Sequence, residues 1–539
     1  MANGKQSLSI KLLDMATKRI LLFSTLAVIN LCNCANILMI TLGGTKSHKI
    51  PFWELARGLT PRGHNITFIS AFPPDFYLSG LEEITPAGLV FYVKNFTNWD
   101  LVGARMRGEE PVHPIDVLQY PYKACEELYA DPETKAFLYS KPSFDLVVMD
   151  GAFPECSNAL AYHFKVPYMH INTVAFYTFS LSMAGNPSPV SMTPFVSLPY
   201  SDSMNVFQRT INTLMTSGMG LLHTACIRLF LQPVLRKHFG KDIPDTYDMN
   251  RNVSFVLQNG HATVTYPRPY LPNVAEIACI HCKPAKKLPH DLEHFINGSG
   301  DAGFIYVSMG SSVRAANMPE YLRRMFLYVF RQLPQRVLWK WEADDQMPDL
   351  PDNVMLGQWL PQQDILGHPK IKAFVTHGGL LSMFETVYHG VPVVTMPVFC
   401  DHDTNAAKAE IDGYALKIEL ATLTPESLLW AIKKVMHDPK YKREVLRRQY
   451  LLKDQKETAL ERGVYWTEYV LRHKGAFHLQ SASKDLNYVQ YYLLDVIAIL
   501  VLCAYALYLC TKWTLKLTYR LLVGNLNCVY TTKKNNKLE

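Results

Sequence analysis

The chain has 539 residues, 48% hydrophobic and 19% charged, with a formal net charge of +7. That length accommodates two sizeable cores and reads as globular with some membrane content. Residues 1–19 carry +3 and residues 512–539 carry +5 of that total, leaving −1 for everything between them, so the basic excess excludes a nucleic-acid surface and reports membrane topology.

The first element is ILLFSTLAVINLCNCA (20–35), which follows Lys18-Arg19 and ends in small residues. This charged, apolar, small order predicts a secretory signal region over 1–35, cleaved after Cys34 or Ala35; Met15 is a more typical start than Met1. From Asn36, short β-branched runs alternate with helical stretches: NILMITLG, a helix through Arg57, NITFIS, then FDLVVMD (144–150), a helix and VPYMHIN. Continuous apolar strands alternating with helices predict a parallel sheet covered on both faces.

The first strand runs into GGTKSHKIPFWELARGLTPRGHNIT, which lacks G-x-G-x-x-G and so argues against a nicotinamide oxidoreductase. It places His48 at a strand-to-helix turn, and Asp150 ends a strand that a parallel sheet sets close by. A base with an orienting carboxylate is what deprotonating a hydroxyl needs. His64, in Arg62-Gly63-His64, follows the helix and is expected away from the ligand edge. Residues 204–236 predict a helix rich in Met, Leu and Phe. Arg209, His223 and Arg228 argue against a membrane span there and leave a pocket wall or a membrane-leaning face.

Six of the eleven cysteines, Cys125, Cys156, Cys226, Cys279, Cys282 and Cys400, lie in the predicted lumenal part, too few for a disulfide scaffold. Cys279 and Cys282 with His290 and His294 have a metal-like look, but the gap between the pairs is shorter than zinc-finger spacing. Structural disulfides or free thiols are the expectation. The Pro- and Lys-rich CKPAKKLPHD (282–291) separates two domains, predicted at 36–285 and 286–485.

The alternation resumes with GFIYVSMGSS, whose strand ends in small hydroxyl residues, then RVLWKW, VMLGQWL, IKAFVTH, VPVVTMP and ALKIEL. In FVTHGGLLSMFETVYHGVP (374–392), His377 ends a strand, Gly378-Gly379 permits close backbone approach, and a helix from Leu380 to His389 stops at Gly390. Helix N-termini favour anions, so a phosphate partnered by His377 and Ser382 is expected there. Glu385, two turns in, suits ribose hydroxyls. Trp359 is placed to stack on a base, and Asp401-His402 follow the next strand. The segment 486–511 has one charge, Asp495, and is followed by Lys512. It predicts a transmembrane helix over 488–511 with a basic cytosolic tail from 512 to 539, a type I topology. Asn65, Asn95, Asn252 and Asn297 begin glycosylation sequons on the lumenal side.

The run WLPQQDILGHPKIKAFVTHGGLLSMFETVYHGVPVVTMPVFCDHDTN resembles the signature block of the UDP-glycosyltransferase family, the animal membrane-bound kind, and the resemblance covers nearly the whole chain. It implies an α/β fold of the GT-B type, two Rossmann-like domains facing a cleft, plus the C-terminal transmembrane helix. Position by position, Trp359 stacks on uracil and Gln362 lies near the uridine. His377, Gly379 and Ser382 meet the diphosphate, with Ser308, Gly310 and Ser311 nearby. Glu385 holds the ribose, and Asp401 and His402 face the sugar hydroxyls. Leu381 stands where some branches have Asn. In the same pattern His48 is the general base, Asp150 stabilises the imidazolium, and configuration inverts.

The resemblance implies no cofactor and no required metal, the UDP-sugar being a co-substrate. It implies a small lipophilic acceptor, homo- or hetero-oligomeric assembly, and residence in the endoplasmic reticulum membrane. Glucuronosyl members place an arginine where FVLQNGHATVTYPRP has Asn259, preceded by Gln258. Neither makes a charge-assisted pair with a carboxylate, so a neutral hexose is expected. Glucose is expected first; Asp401-His402 in place of the commoner Asp-Gln brings galactose next. The alternative from another class is a catalytically silent relative acting as a binding or partner subunit.

Overall fold

A computed structural model describes residues 34–174, 179–196, 198–343 and 347–535. The expected signal segment, apart from Cys34 and Ala35, and the last four residues of the expected tail lie outside the described residues. Of the described residues, those up to Ser481 form one compact unit and those from Ala482 another.

The first unit is built on two parallel sheets. The first contains β1 (Asn36–Thr41), β2 (Asn65–Ser70), β3 (Leu81–Ile84), β4 (Leu146–Asp150), β5 (Tyr168–Asn172), β6 (Phe255–Gln258) and β7 (Val274–Glu276), in spatial order 3-2-1-4-5-6-7. The second contains β8 (Phe304–Ser308), β9 (Arg336–Lys340), β10 (Val354–Gly357), β11 (Ile371–Thr376), β12 (Val393–Thr395) and β13 (Ala415–Lys417), in order 10-9-8-11-12-13. β1, β4, β5 and β8 are buried along nearly their whole length, and β11 from Ala373 to its end, because helices cover both faces. In each sheet the strand order reverses beside the first strand, which opens a crevice at the carboxyl ends of β1 and β4, and of β8 and β11.

Two packing features cross between the sheets. Leu101 and Val102, from the short helix Leu101–Met106 that follows the first domain's opening strands, are buried among Val313, Leu420 and Leu423 in the core of the second. Conversely, Val464 and Val470 of helix Ala459–Arg472 are buried with Phe52, Leu55 and Phe255 of the first, and Trp466 stacks on Phe255 at 4.4 Å. The expected boundary 286–485 therefore needs correction at its end. The last helix belongs by packing to the first sheet, since its apolar stripe finds an unfilled face there.

Cys125 is bonded to Cys156 and Cys279 to Cys282. The second disulfide removes the thiolates that a metal would need, and no group of three metal-ligating side chains occurs among the described residues. Residues 206–239 form a helix with a π turn at Ile227–Leu231. It leaves Phe207, Leu214, Leu221 and Leu229 exposed. In the second unit, helix Leu494–Asn535 has its apolar, uncovered part at Leu494–Val523. Residues 494–511 of the expected span lie in this helix, which continues through the expected tail as far as Asn535. Lys512, Lys516 and Arg520 follow one another at helical spacing, so their long stems need not interrupt the turn.

Candidate functional site

The strand ends of the two sheets enclose a cavity of about 480 Å³. His48, Ser308, Gly310, Ser311, Trp359, Gln362, His377, Gly379, Ser382, Glu385, Asp401 and His402 all line it. Asp150 does not, because it is buried behind His48. Asn259 does not either: it is buried one layer down, its amide donating to the Thr173 carbonyl at 3.1 Å. None of residues 206–239 lines this cavity; Val206, Arg209, Thr210, Thr213 and Leu214 line a separate pocket with Val190 and Ser191.

On the first-domain wall, His48 ends a short 3₁₀ turn just before helix Lys49–Leu59. Its Nδ1 lies 2.8 Å from Asp150 Oδ2 and 2.7 Å from Thr173 Oγ1. The Thr173 hydroxyl donates to Asp150 Oδ1 at 3.1 Å, so its oxygen is left to accept from the ring. Both contacts place the imidazole proton on Nδ1 and leave Nε2 free to take one. Burial works against the imidazolium, but the Asp150 charge and hydrogen bond outweigh it, so His48 holds a proton to higher pH than an ordinary histidine. Asp401 adds to this from the opposite wall. His64 sits elsewhere, accepting from the Ala35 amide at 3.2 Å beside the start of β1.

On the second-domain wall, the β11-to-helix turn has the features an anion site requires. Gly379 caps helix Leu380–His389 with no side-chain hydrogen bond, leaving its first amides open to the cavity. The His377 ring is wedged between two glycine backbones: a Cβ on Gly310 would lie 2.3 Å from it, and one on Gly379 2.5 Å. Burial, with His402 and Lys340 nearby, keeps His377 well below the usual histidine range, so it meets a ligand as a neutral ring. Lys340, at the end of β9, donates to the Gly310 carbonyl at 2.6 Å.

Gln362 Nε2 donates to Ser382 Oγ at 2.9 Å and to Glu385 Oε2 at 2.6 Å. His281 reaches the other Glu385 oxygen at 3.4 Å. Trp359 is 69% exposed, and the ammonium groups of Lys46 and Lys340 lie 5.1 and 5.7 Å from its ring centre. His402 packs edge-on against His377 at 4.4 Å. Its Nδ1 accepts from the Phe399 amide at 3.4 Å, which puts the ring proton on Nε2. Burial, reinforced by Arg105, pushes its pKa down to about 3. Asn405 ties Asp401 to the Gly378 carbonyl, at 2.9 and 3.0 Å.

Thr41, Thr173, Lys340, His281 and Asn405 were not anticipated. The first three stand at or just beyond a strand's carboxyl end, a position that could have singled them out. His281 and Asn405 carried no comparable signal.

A family model described as "UDP-glucoronosyl and UDP-glucosyl transferase" matches residues 100–528. Among curated proteins, the chain is 32% identical to UDP-glycosyltransferase UGT5 of Dactylopius coccus, over 93% of this chain and 96% of that one. It is 31% identical to human 2-hydroxyacylsphingosine 1-beta-galactosyltransferase, over 92% and 90%. It is 36% identical to human UDP-glucuronosyltransferase 2B15, over 74% of each. Among solved structures, the calicheamicin glycosyltransferase CalG4 superposes with a TM-score of 0.55 at 19% identity, covering 82% of this chain and 99% of that one. The fold is GT-B.

Proposed function

The chain belongs to the UDP-glycosyltransferase family and is an enzyme of that type, and on that premise we propose that it transfers a neutral hexose from a UDP-hexose to a hydroxyl of a small lipophilic acceptor, with inversion. The carrying observation is that His48, held from behind by Asp150, and the open helix terminus at Gly379 face one cavity from opposite domains. His48 Nε2 takes the acceptor proton as the hydroxyl oxygen attacks the anomeric carbon. Asp150, holding Nδ1–H, stabilises the imidazolium that forms. The bond to the UDP oxygen breaks on the opposite face. The departing diphosphate is met by helix amides, Ser382 and neutral His377, which supply oriented donors. Trp359 takes the uracil face, Gln362 lies beside the uridine, and Glu385 accepts from the ribose.

The choice of a neutral hexose rests on Asn259, whose amide is already committed to the Thr173 carbonyl. UDP-glucose is the first donor and UDP-galactose the next, with Asp401 and His402 reading the hydroxyls. The catalytic domains are lumenal, in the endoplasmic reticulum. The test is UDP release from full-length protein in microsomes, given a lipophilic phenol and UDP-glucose, UDP-galactose or UDP-glucuronate. Fastest turnover with UDP-glucuronate overturns the donor assignment. Donor binding without turnover on a broad acceptor panel indicates a silent relative instead.

A further inference from the structure

The sugar-reading segment Asp401–Asp403 is braced from inside its own domain by Asn405 and from outside by the other domain. The outside brace is Arg105, at the end of the helix Leu101–Met106 whose apolar residues are buried in the second domain's core. Arg105 Nη2 lies 2.8 Å from Asp403 Oδ1 and 3.0 Å from Glu419 Oε2. Lys417 Nζ closes the set at 3.2 Å from Asp403 and 2.7 Å from Glu419. Two cations and two carboxylates alternate, so each charge has two opposite neighbours. Asp403 and Lys417 are each only 13% exposed, which limits screening by solvent.

Asp403 stands in the first turn of helix His402–Ile411, immediately after Asp401 and His402. Fixing its carboxylate fixes the pitch of that turn and with it the direction of both preceding side chains. Lys417 alone could neutralise Asp403 from within the domain. Arg105 is what makes the arrangement depend on contact between the domains.

We propose that Arg105 is a positioning residue for the donor sugar, holding Asp401 and His402 toward the transferred hexose only while the two domains are engaged. This rests on the donor-site reading given above. The uridine and diphosphate contacts lie on other segments, so a fault in this brace discriminates between UDP and UDP-hexose. A simple interdomain staple would instead affect both alike.

The experiment compares full-length wild type with Arg105→Ala, Arg105→Lys and Asp403→Asn, measuring UDP affinity, KM and kcat for UDP-glucose and UDP-galactose, and thermal stability. For Arg105→Ala the expected result is a KM for UDP-hexose raised about ten- to hundredfold, the scale of effect that a misplaced substrate group produces. UDP affinity should hold, and the preference between the two hexoses should shrink. Arg105→Lys should recover part of the loss, since the positive charge is kept but on a shorter stem without the planar, preorganised guanidinium. Equal losses for UDP and UDP-hexose, or an unchanged hexose preference, overturn the proposal. Where Arg105→Ala does not fold, the same readouts on Arg105→Lys and Asp403→Asn decide it. Absence of UDP binding in wild type would sink the donor-site reading rather than the role of Arg105.

Discussion

The Asp150 carboxylate accepts from four donors: the Thr41 and Thr173 hydroxyls, the Ala152 amide and the His48 ring. Such a carboxylate is fixed in direction, and the imidazole it holds is fixed with it. Replacing His48 by Ala should lower kcat by about 10²–10⁴, the usual worth of a general base, with little change in UDP affinity. Near wild-type turnover in that variant refutes the assignment. The pH profile carries a second signature. The base works when unprotonated, so kcat/KM rises with pH through the His48 pKa. That pKa is raised above 6.5 chiefly because Asp150 outweighs burial, so the acid limb should lie alkaline of an ordinary histidine. Asp150→Asn removes the charge and should move the limb toward acid while lowering the plateau. An unmoved limb would assign the titration to another group.

Two further residues are open to direct test in the donor wall. Gly310 has φ +83°, and a Cβ there would lie 2.3 Å from His377 Cε1. Gly310→Ala therefore meets both backbone strain of about 1–3 kcal/mol and a clash that turns the ring from the cavity. UDP affinity should fall with thermal stability; retained UDP affinity would show that His377 does not need this seat. His402 presents only a donor, because its Nδ1 is engaged by the Phe399 amide. Glutamine at this place would both donate and accept. His402→Gln should shift the ratio of rates toward UDP-glucose and away from UDP-galactose, and an unchanged ratio would remove His402 from sugar reading.

At the scale of elements, what was legible in the sequence followed the length of each apolar run. The runs at 36–43, 65–70, 144–150, 303–311 and 371–377 became buried strands, and helix Leu380–His389 begins and ends where its glycines place it. β3 and β7 went unread because glutamates break the short runs LEEI and VAE, whereas β12 and β13, no longer, sit inside the longer patterned runs VPVVTMP and ALKIEL. The docking of helix Ala459–Arg472 was also invisible, since amphipathicity says that a face is covered and not by what. That contact makes a paired prediction. Glycine in a helix interior ordinarily costs about 0.5–1 kcal/mol relative to alanine. Gly218, with open space around it, should follow the rule, and Gly218→Ala should raise the melting temperature. Gly58 should break it, because a Cβ there would lie 2.6 Å from Val464 and 2.8 Å from Leu460 of the returning helix. Gly58→Ala should lower the melting temperature. If both substitutions stabilise, the helix does not pack as described.

For the whole molecule, the decisive matter is which segments cross a bilayer. Among the described residues two helices are long and apolar enough by composition, Val206–Phe239 and Leu494–Val523. The first cannot cross once, because the chain before it and the chain after it belong to the same sheet: β5 pairs directly with β6, from Met169–Phe255 through Asn172–Gln258. A crossing between them would tear adjacent strands onto opposite sides of the membrane and leave their backbone groups unpaired. The apolar face of Val206–Phe239 must therefore lie along a surface. Among the described residues that leaves Leu494–Val523 as the candidate span, with the sequons at Asn65, Asn95, Asn252 and Asn297 all preceding it in the chain. All four asparagines are exposed, as glycan transfer requires. With the lumenal orientation proposed above, endoglycosidase treatment should lower the mass of the full-length protein. Protease added outside intact microsomes should trim only residues beyond about Val523, where the long helix leaves the hydrocarbon, and spare the whole segment before it. Substituting each sequon asparagine by glutamine should remove the mass shift stepwise. Digestion of the catalytic unit in intact vesicles, or a mass untouched by endoglycosidase, would reverse the orientation.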